Sequence, residues 1–187
     1  MAPGDYLVPR VHWTMRIVTP GAVLRPWTSD DVPSLVRHAD NPRVAAGMRD
    51  AFPSPYTPDD ACRFIALATS PGRNLLLAIE VDGEAVGGIG IHPLEDVCRR
   101  TAEIGYWLAE PYWSRGITTG AVRAIAPVAF EEMDIVRLQA GVFSSNTASM
   151  RVLERSGFAR EAVHRHAITK HGALLDEVVY VRFAPDS

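Results

Sequence analysis

Helical and extended hydrophobic patterns interleave along this chain, which places it in the mixed α/β class (α+β mixed) as one domain. Three observations carry that reading. Apolar residues recur at helical spacing within residues 28–69, short strand-like runs replace them from Asn74, and helices and strands then alternate to the end. The 187 residues suffice to bury about two thirds of the unfolded surface without a metal or a disulfide. No fixed-period repeat, low-complexity tract or linker divides them.

Residues 1–20, spaced by Pro3, Pro9 and Pro20, read as a loosely ordered arm, leaving 21–187 as the folded domain. Ala22 to Trp27 is a short strand. Thr28 with Asp31 three residues on marks a helix start, and Val32, Leu35, Val36 and Ala39 form its stripe until Asn41-Pro42 ends it. Pro53 and Pro55 exclude regular structure around Phe52–Tyr56. Thr57-Pro58-Asp59-Asp60 then opens a second helix, with a cap, a proline at the first position and acids in the first turn. Leu75 to Ile79 and Ala85 to Ile91 are strands joined by a hairpin turn at Asp82-Gly83, and Ala102 to Ala109 is a third. Ile117 to about Met133 is helical, and Pro127 is expected to kink or split it at a cost of about 3 kcal/mol. Arg137 to Phe143 is a strand, Ser144 to Ser156 a helix stopped by Gly157, and two strands follow around Lys170-His171-Gly172.

Charge is nearly balanced, with 19 Lys+Arg against 22 Asp+Glu and a net charge of −3. That speaks against a general nucleic-acid binder. No apolar run reaches the roughly 18 residues of a membrane span, and the first ten residues lack signal-peptide order. Cys62 and Cys98 lie far apart and suggest neither a disulfide framework nor a zinc site; they read as partly buried thiols. The expectation is a soluble cytoplasmic protein without metal.

The chemistry concentrates between Glu103 and Phe158. A strand ends near Leu108, and after a loop Arg115-Gly116-Ile117-Thr118-Thr119-Gly120 opens a helix. The first amides of a helix have no internal partner, so small residues there leave donors for a diphosphate, helped by the helix dipole and Arg115. The same glycines equally serve a tight turn and close helix packing. Other phosphate motifs are absent: no Gly-Lys-Ser/Thr follows, and no GxGxxG precedes an acid about 20 residues on.

The cassette Asn146-Thr147-Ala148-Ser149 through Glu154-Arg155-Ser156-Gly157-Phe158 extends the pattern. Together with Ala102-Glu103-Ile104-Gly105-Tyr106-Trp107-Leu108 and Tyr112-Trp113-Ser114-Arg115-Gly116-Ile117-Thr118-Thr119, it resembles the GNAT superfamily of N-acetyltransferases, in its RimJ/RimL-type branch. Leu24-Arg25-Pro26-Trp27, the Pro53-x-Pro55-Tyr56 loop and Asp176 resemble it too, so the likeness spans about residues 22 to 183. It implies a central, mostly antiparallel, splayed sheet flanked by helices. It also implies direct acyl transfer from acetyl-coenzyme A to a primary amine, with no acyl-enzyme. Arg115, Gly116, Ile117, Thr118, Thr119 and Gly120 would hold the pyrophosphate. Trp107, Leu108, Ala109 and Asn146 would bond the pantetheine arm, and Ser149 would meet the departing thiolate. The strand ending at Ala109 would splay from the one starting near Arg137. Trp113 and Thr118 depart from the superfamily's usual loop, and Leu153 replaces the tyrosine that many members place seven residues after the asparagine.

An α-amine of pKa near 7.8 is about 14% free base at pH 7, whereas a lysine amine is free in about four parts in ten thousand. A base is therefore needed, and Glu103, on an otherwise apolar strand, is the candidate; a strand-end ion pair is its alternative. Trp27, Tyr56, Trp107 and His164 are expected at the acceptor pocket. His164 and His166 lack a third ligand for a metal. The expected acceptor is a protein N-terminus or a small amine, and the expected assembly is a monomer or a homodimer. Two other readings are an acyl-coenzyme A sensor without turnover and a transferase using another acyl group, such as succinyl.

Overall fold

The computed structural model describes residues 15–185. Its strands are β1 (Ile17–Thr19), β2 (Ala22–Pro26), β3 (Leu75–Val81), β4 (Glu84–Pro93), β5 (Thr101–Leu108), β6 (Arg137–Phe143), β7 (Ala159–Lys170) and β8 (Ala173–Phe183). The helices are α1 (Val32–Ala39), α2 (Pro42–Ala45), α3 (Pro58–Thr69), α4 (Ile117–Glu132) and α5 (Thr147–Arg155). One eight-stranded sheet runs in the order β1-β2-β3-β4-β5-β6-β8-β7, antiparallel throughout except where β5 meets β6. The chain therefore returns from β5 to β6 through α4, a crossover that a parallel pair requires.

Most element boundaries follow from local chemistry. Thr57 and Asp60 form a reciprocal capping box at the start of α3, and Asp31 closes the same motif with Thr28 ahead of α1. At the end of α5, Gly157 donates to Glu154 O and Phe158 to Leu153 O, the two bonds of a Schellman stop. Pro127 lies inside α4 without splitting it, although it removes the bond that would have met Arg123 O. Two expectations need correction. Ile17–Thr19, assigned to an irregular arm, pair with β2, while residues 1–14 of that arm lie outside the described residues. Cys62 and Cys98 are both exposed rather than partly buried.

Each face of the sheet has its own core. On one face α4 and α5 bury Ile117, Val122, Ile125 and Leu153 against Leu77, Ile91, Ile104 and Leu138. On the other, α1 and α3 bury Leu35, Ala61 and Ile65 with Trp27, Tyr56 and Trp107. Burial of each large aliphatic side chain contributes about 1.5–3 kcal/mol. Between β2 and β3, Arg25 makes paired hydrogen bonds of 2.7 Å to both carboxylate oxygens of Asp31 and a further one to Glu80. Burial opposes the Asp31 charge, yet hydrogen bonds from Arg25 and Thr28 hold its carboxyl below the usual range. Arg25 is thus a structural pin. β7, at the sheet margin, is exposed over most of its length, and its pairing shifts register between Arg160 and Ala162 and between His164 and Ile168. No helix among the described residues is long and apolar enough to cross a membrane.

Candidate active site

β5 and β6 are paired only at Thr101↔Arg137, Ala102↔Leu138 and Glu103↔Gln139. Beyond Glu103 they part. Ala109 donates to Val86 O and Leu94 to Thr101 O, both at 2.8 Å, so odd-numbered residues of β5 direct their backbone groups at β4. By strand alternation Tyr106 and Leu108 direct theirs into the opening. On β6, Ser144 donates to Asp176 O at 2.9 Å and Ala184 donates to Val136 O at 3.0 Å, so even-numbered residues serve β8. Gly141 and Phe143 then face the opening from the far side. Phe143 O accepts the Asn146 N–H at 2.8 Å, whereas the ladder groups of Tyr106 and Gly141 and the N–H of Leu108 face the opening, a setting suited to an extended, amide-bearing chain.

The start of α4 stands beyond this opening. α3 and α5 begin with side-chain caps from Thr57 and Asn146, whereas Gly116, the capping residue of α4, supplies none. Gly116 has φ 78°, a left-handed conformation that bends the loop into the helix. The N–H of Gly120 closes on Gly116 O at 2.9 Å, so it is not a free donor. Ile117, Thr118 and Thr119 precede it and have no intrahelical partner for their amides. Arg115 lies exposed with its guanidinium 5.2 Å from the Tyr112 ring centre. Trp113 donates its indole N–H to Leu108 O at 2.7 Å, so this departure from the usual loop ties the loop to the strand end.

On the α4–α5 side of the opening, the Tyr106 hydroxyl lies 2.9 Å from Ser149 Oγ. Burial pushes the Tyr106 phenol up to about 12, the Ser149 bond opposing this, so it keeps its proton at physiological pH. Asn146 accepts the Ser149 N–H on Oδ1 at 3.1 Å, which leaves Nδ2 for another partner.

On the opposite side, a cleft of about 230 Å³ is lined by Glu103, Gln139, Gly141, His164, Glu177 and neighbouring residues. Arg49 donates to Glu103 at 3.2 Å. His92 stands opposite Glu103 on β4, and burial lowers its pKa, with Glu103 raising it and Arg49 lowering it again, so the imidazole is neutral at pH 7. In the segment after α2, Asp50 meets Lys170 Nζ at 2.7 Å, and the Gly47 backbone lies against the Asn146 side chain.

The acetyltransferase (GNAT) domain model matches residues 22–159, more than half of the chain. The chain belongs to this acetyltransferase family. The probable N-acetyltransferase YjcK of Bacillus subtilis is 35% identical over 105 residues, which cover 56% of this chain and 58% of YjcK. The ribosomal-protein-serine acetyltransferase of Escherichia coli is 30% identical over 111 residues, covering 59% of this chain and 62% of that enzyme. The chain thus spans about three fifths of the length of these curated relatives. The solved structure of Mycobacterium smegmatis RimJ in complex with CoA-disulfide superposes with a TM-score of 0.78 at 26% identity, covering 94% of this chain and 92% of RimJ.

This GNAT domain brings Leu108, Arg115–Thr119, Asn146 and Ser149 around the opening, and places Glu103 and His164 on the cleft. The remaining expected site residues lie elsewhere in the structure. Ala109 and Trp107 turn their backbone groups to β4. Trp27, Tyr56 and Trp107 are 3%, 5% and 8% exposed and pack in the α1–α3 core. Leu153, where many members have tyrosine, is fully buried. Tyr106 supplies the second hydroxyl instead. Its signal lay in the sequence, because a tyrosine within an apolar strand requires a partner for its O–H. Glu177 was also missed, since only strand pairing brings it to the cleft. Among the described residues no group of three or more His, Cys, Asp or Glu is arranged to hold a metal ion.

Proposed function

We propose that the protein transfers the acetyl group of acetyl-coenzyme A to a primary amine by direct attack. The observation that carries this reading is the opening between β5 and β6. It joins an uncapped helix start and a pair of hydroxyls on one side to a carboxylate-lined cleft on the other. The residues fit the co-substrate. The amides of Ile117, Thr118 and Thr119 and the guanidinium of Arg115 suit a diphosphate, and the backbone groups of Tyr106 suit the amides of the pantetheine arm. Asn146 Nδ2 adds a donor. Acetyl-coenzyme A supplies a thioester carbonyl activated toward nitrogen.

The chain's own groups divide the remaining work. Tyr106, kept protonated, and Ser149, hydrogen-bonded to it, donate a proton toward a departing sulfur. The Leu108 N–H faces the opening and is placed to meet developing negative charge, a role that Ala109, bonded to Val86, does not fill. The carboxylates of the cleft, Glu103 among them, attract an ammonium group, and one of them takes its proton. A protein N-terminus is favoured as acceptor, because its α-amine needs only about 1 kcal/mol to reach the free base against over about 4 for lysine. The name of the Escherichia coli relative agrees with a ribosomal protein. Two exposed free thiols suit a reducing, cytoplasmic setting.

Incubation with acetyl-coenzyme A and a panel of peptide and small-molecule amines, read by thiol release and product mass, tests the reading. Acceptor-dependent thiol release with a gain of one acetyl group is the expected result. Binding of acetyl-coenzyme A without release for any amine would instead support a sensor.

A further inference from the structure

We propose that Glu177, oriented by His164, is the carboxylate that meets the acceptor nitrogen and removes its proton. This assignment rests on the acyl-transfer reading above and names the residue that serves it.

The strand register decides the placement. Glu103 is the last residue of β5 still paired with β6, so its carboxylate stands at the closed apex of the opening, where Arg49 engages it at 3.2 Å. The next residues on the same side of the two strands are Gly105 and Gly141. Both are exposed in the middle of central strands. A Cβ at Gly105 would meet nothing within 4 Å, so β5 leaves this part of the opening clear. Gly141 is different. A Cβ there would come within 2.2 Å of Glu177 Oε1 and 2.9 Å of its Cδ. Glu177 reaches from β8 across β6 and lies on the bare backbone of Gly141, at the edge of the opening. Gly141 is the floor that permits this position.

His164 holds the carboxylate from behind. It pairs with Glu177 across β7–β8, and its Nδ1 lies 3.1 Å from Glu177 Oε2. The Glu177 side chain is 23% exposed, on the cleft shared with Glu103 and Gln139. The other charged groups facing this pair are Arg137 on β6 and Glu161 on β7, which bind each other, and Glu103 with Arg49 at the apex. Neither ion pair occupies the remaining oxygen of Glu177.

The proton balance closes. An ammonium acceptor gives one proton to Glu177, which passes it to solvent through the open cleft. The free nitrogen forms the N–C bond, and the C–S bond breaks with its electron pair left on sulfur. The nitrogen sheds a second proton to the Glu177 carboxylate as the amide forms, and sulfur gains one from the Tyr106–Ser149 pair, which solvent then reprotonates, so that one proton in all is released. The third hydrogen stays on the amide.

The test compares Glu177→Gln and Gly141→Ala with the wild type in pH profiles of kcat/KM, alongside coenzyme A binding by thermal shift and calorimetry. Gly141→Ala displaces only the mobile end of Glu177, so it is expected to fold and to reproduce the Glu177→Gln defect. Both should bind coenzyme A as the wild type does and lose about 10²- to 10³-fold in kcat/KM at pH 7. The deficit should shrink as pH rises toward the acceptor's own pKa. His164→Gln should give a smaller loss and shift the acidic limb of the profile. A Glu177→Gln loss under threefold, or one independent of pH, overturns the assignment, as does a pH-dependent loss seen in Glu103→Gln but not in Glu177→Gln. Absence of acceptor-dependent turnover in the wild type would instead strike the acyl-transfer reading itself.

Discussion

Gly116 and Gly172 form a matched pair from which the phosphate reading can be isolated. Each has φ 78°, and a Cβ added at either would meet nothing within 4 Å. Replacing either by alanine forces an L-residue into the left-handed region without a clash, so each should cost about 1–2 kcal/mol of stability. For a chain of this length that corresponds to a fall of about 2–8 °C in Tm. The consequences for ligand differ. Gly172 lies in the β7–β8 turn, whereas the open space at Gly116 is where the amides of Ile117 to Thr119 would receive a diphosphate. If Gly116→Ala weakens coenzyme A about tenfold, ligand at 100 times the wild-type Kd stabilises the variant by about 1.4 kcal/mol instead of about 2.7. Gly172→Ala keeps the full increment. Thermal melts with and without coenzyme A, supported by calorimetric Kd values, read both effects. Equal loss of coenzyme A affinity in the two variants would refute the site at α4. Unequal loss of stability without ligand would refute the conformational argument.

Asp31→Asn should destabilise by about 1.5–3 kcal/mol at pH 7, because Arg25 loses one of its two carboxylate partners and keeps only Glu80. The folded pKa of Asp31 is depressed, so its contribution is present above the unfolded value near 3.8 and lost as pH falls through the folded value; melts of variant and wild type should converge in acid. Tyr106→Phe leaves the Ser149 hydroxyl without its 2.9 Å partner and should lower kcat about tenfold or more while sparing acceptor KM, and Tyr106→Phe with Ser149→Ala together should lose less than the product of the single effects. Asn146→Ala removes the α5 cap and should cost about 1 kcal/mol, whereas Asn146→Asp retains the cap while exchanging the Nδ2 donor for a carboxylate oxygen. Weaker coenzyme A binding in the Asp variant, at unchanged Tm, would separate the ligand role from the helix role.

Features governed by neighbours in sequence were readable from it. The Thr57–Asp60 box, the Asp82-Gly83 turn and the Gly157 stop all depend on residues within one helical turn or hairpin. β1 was readable in principle, since Pro20-Gly21 between Ile17-Val18-Thr19 and Ala22-Val23-Leu24 is a turn signal, but the prolines of the preceding residues masked it. The start of α2 was hidden in the same way: Asn41 accepts the Arg43 N–H, so the Asn-Pro pair that ends α1 also caps the next helix. What the sequence withheld was lateral. Glu177 over Gly141, Tyr106 on Ser149 and Lys170 on Asp50 join residues 36, 43 and 120 positions apart, and no periodicity encodes such distances. The aromatic residues misled for a related reason. Trp27 and Tyr56 have polar tips, but the space beneath α1 and α3 is large enough to take whole rings, and burial prevailed.

The long exposed margin formed by β7 has a bearing on how this protein behaves at high concentration. A straight outer strand invites a second molecule to add its own strand, and repetition of that step yields fibres. Here the ladder is interrupted twice, near Arg160 and beyond His164, and the cations Arg160 and Arg165 stand along it. The far margin, β1, is three residues long. Among the described residues neither side offers an unbroken template for strand addition.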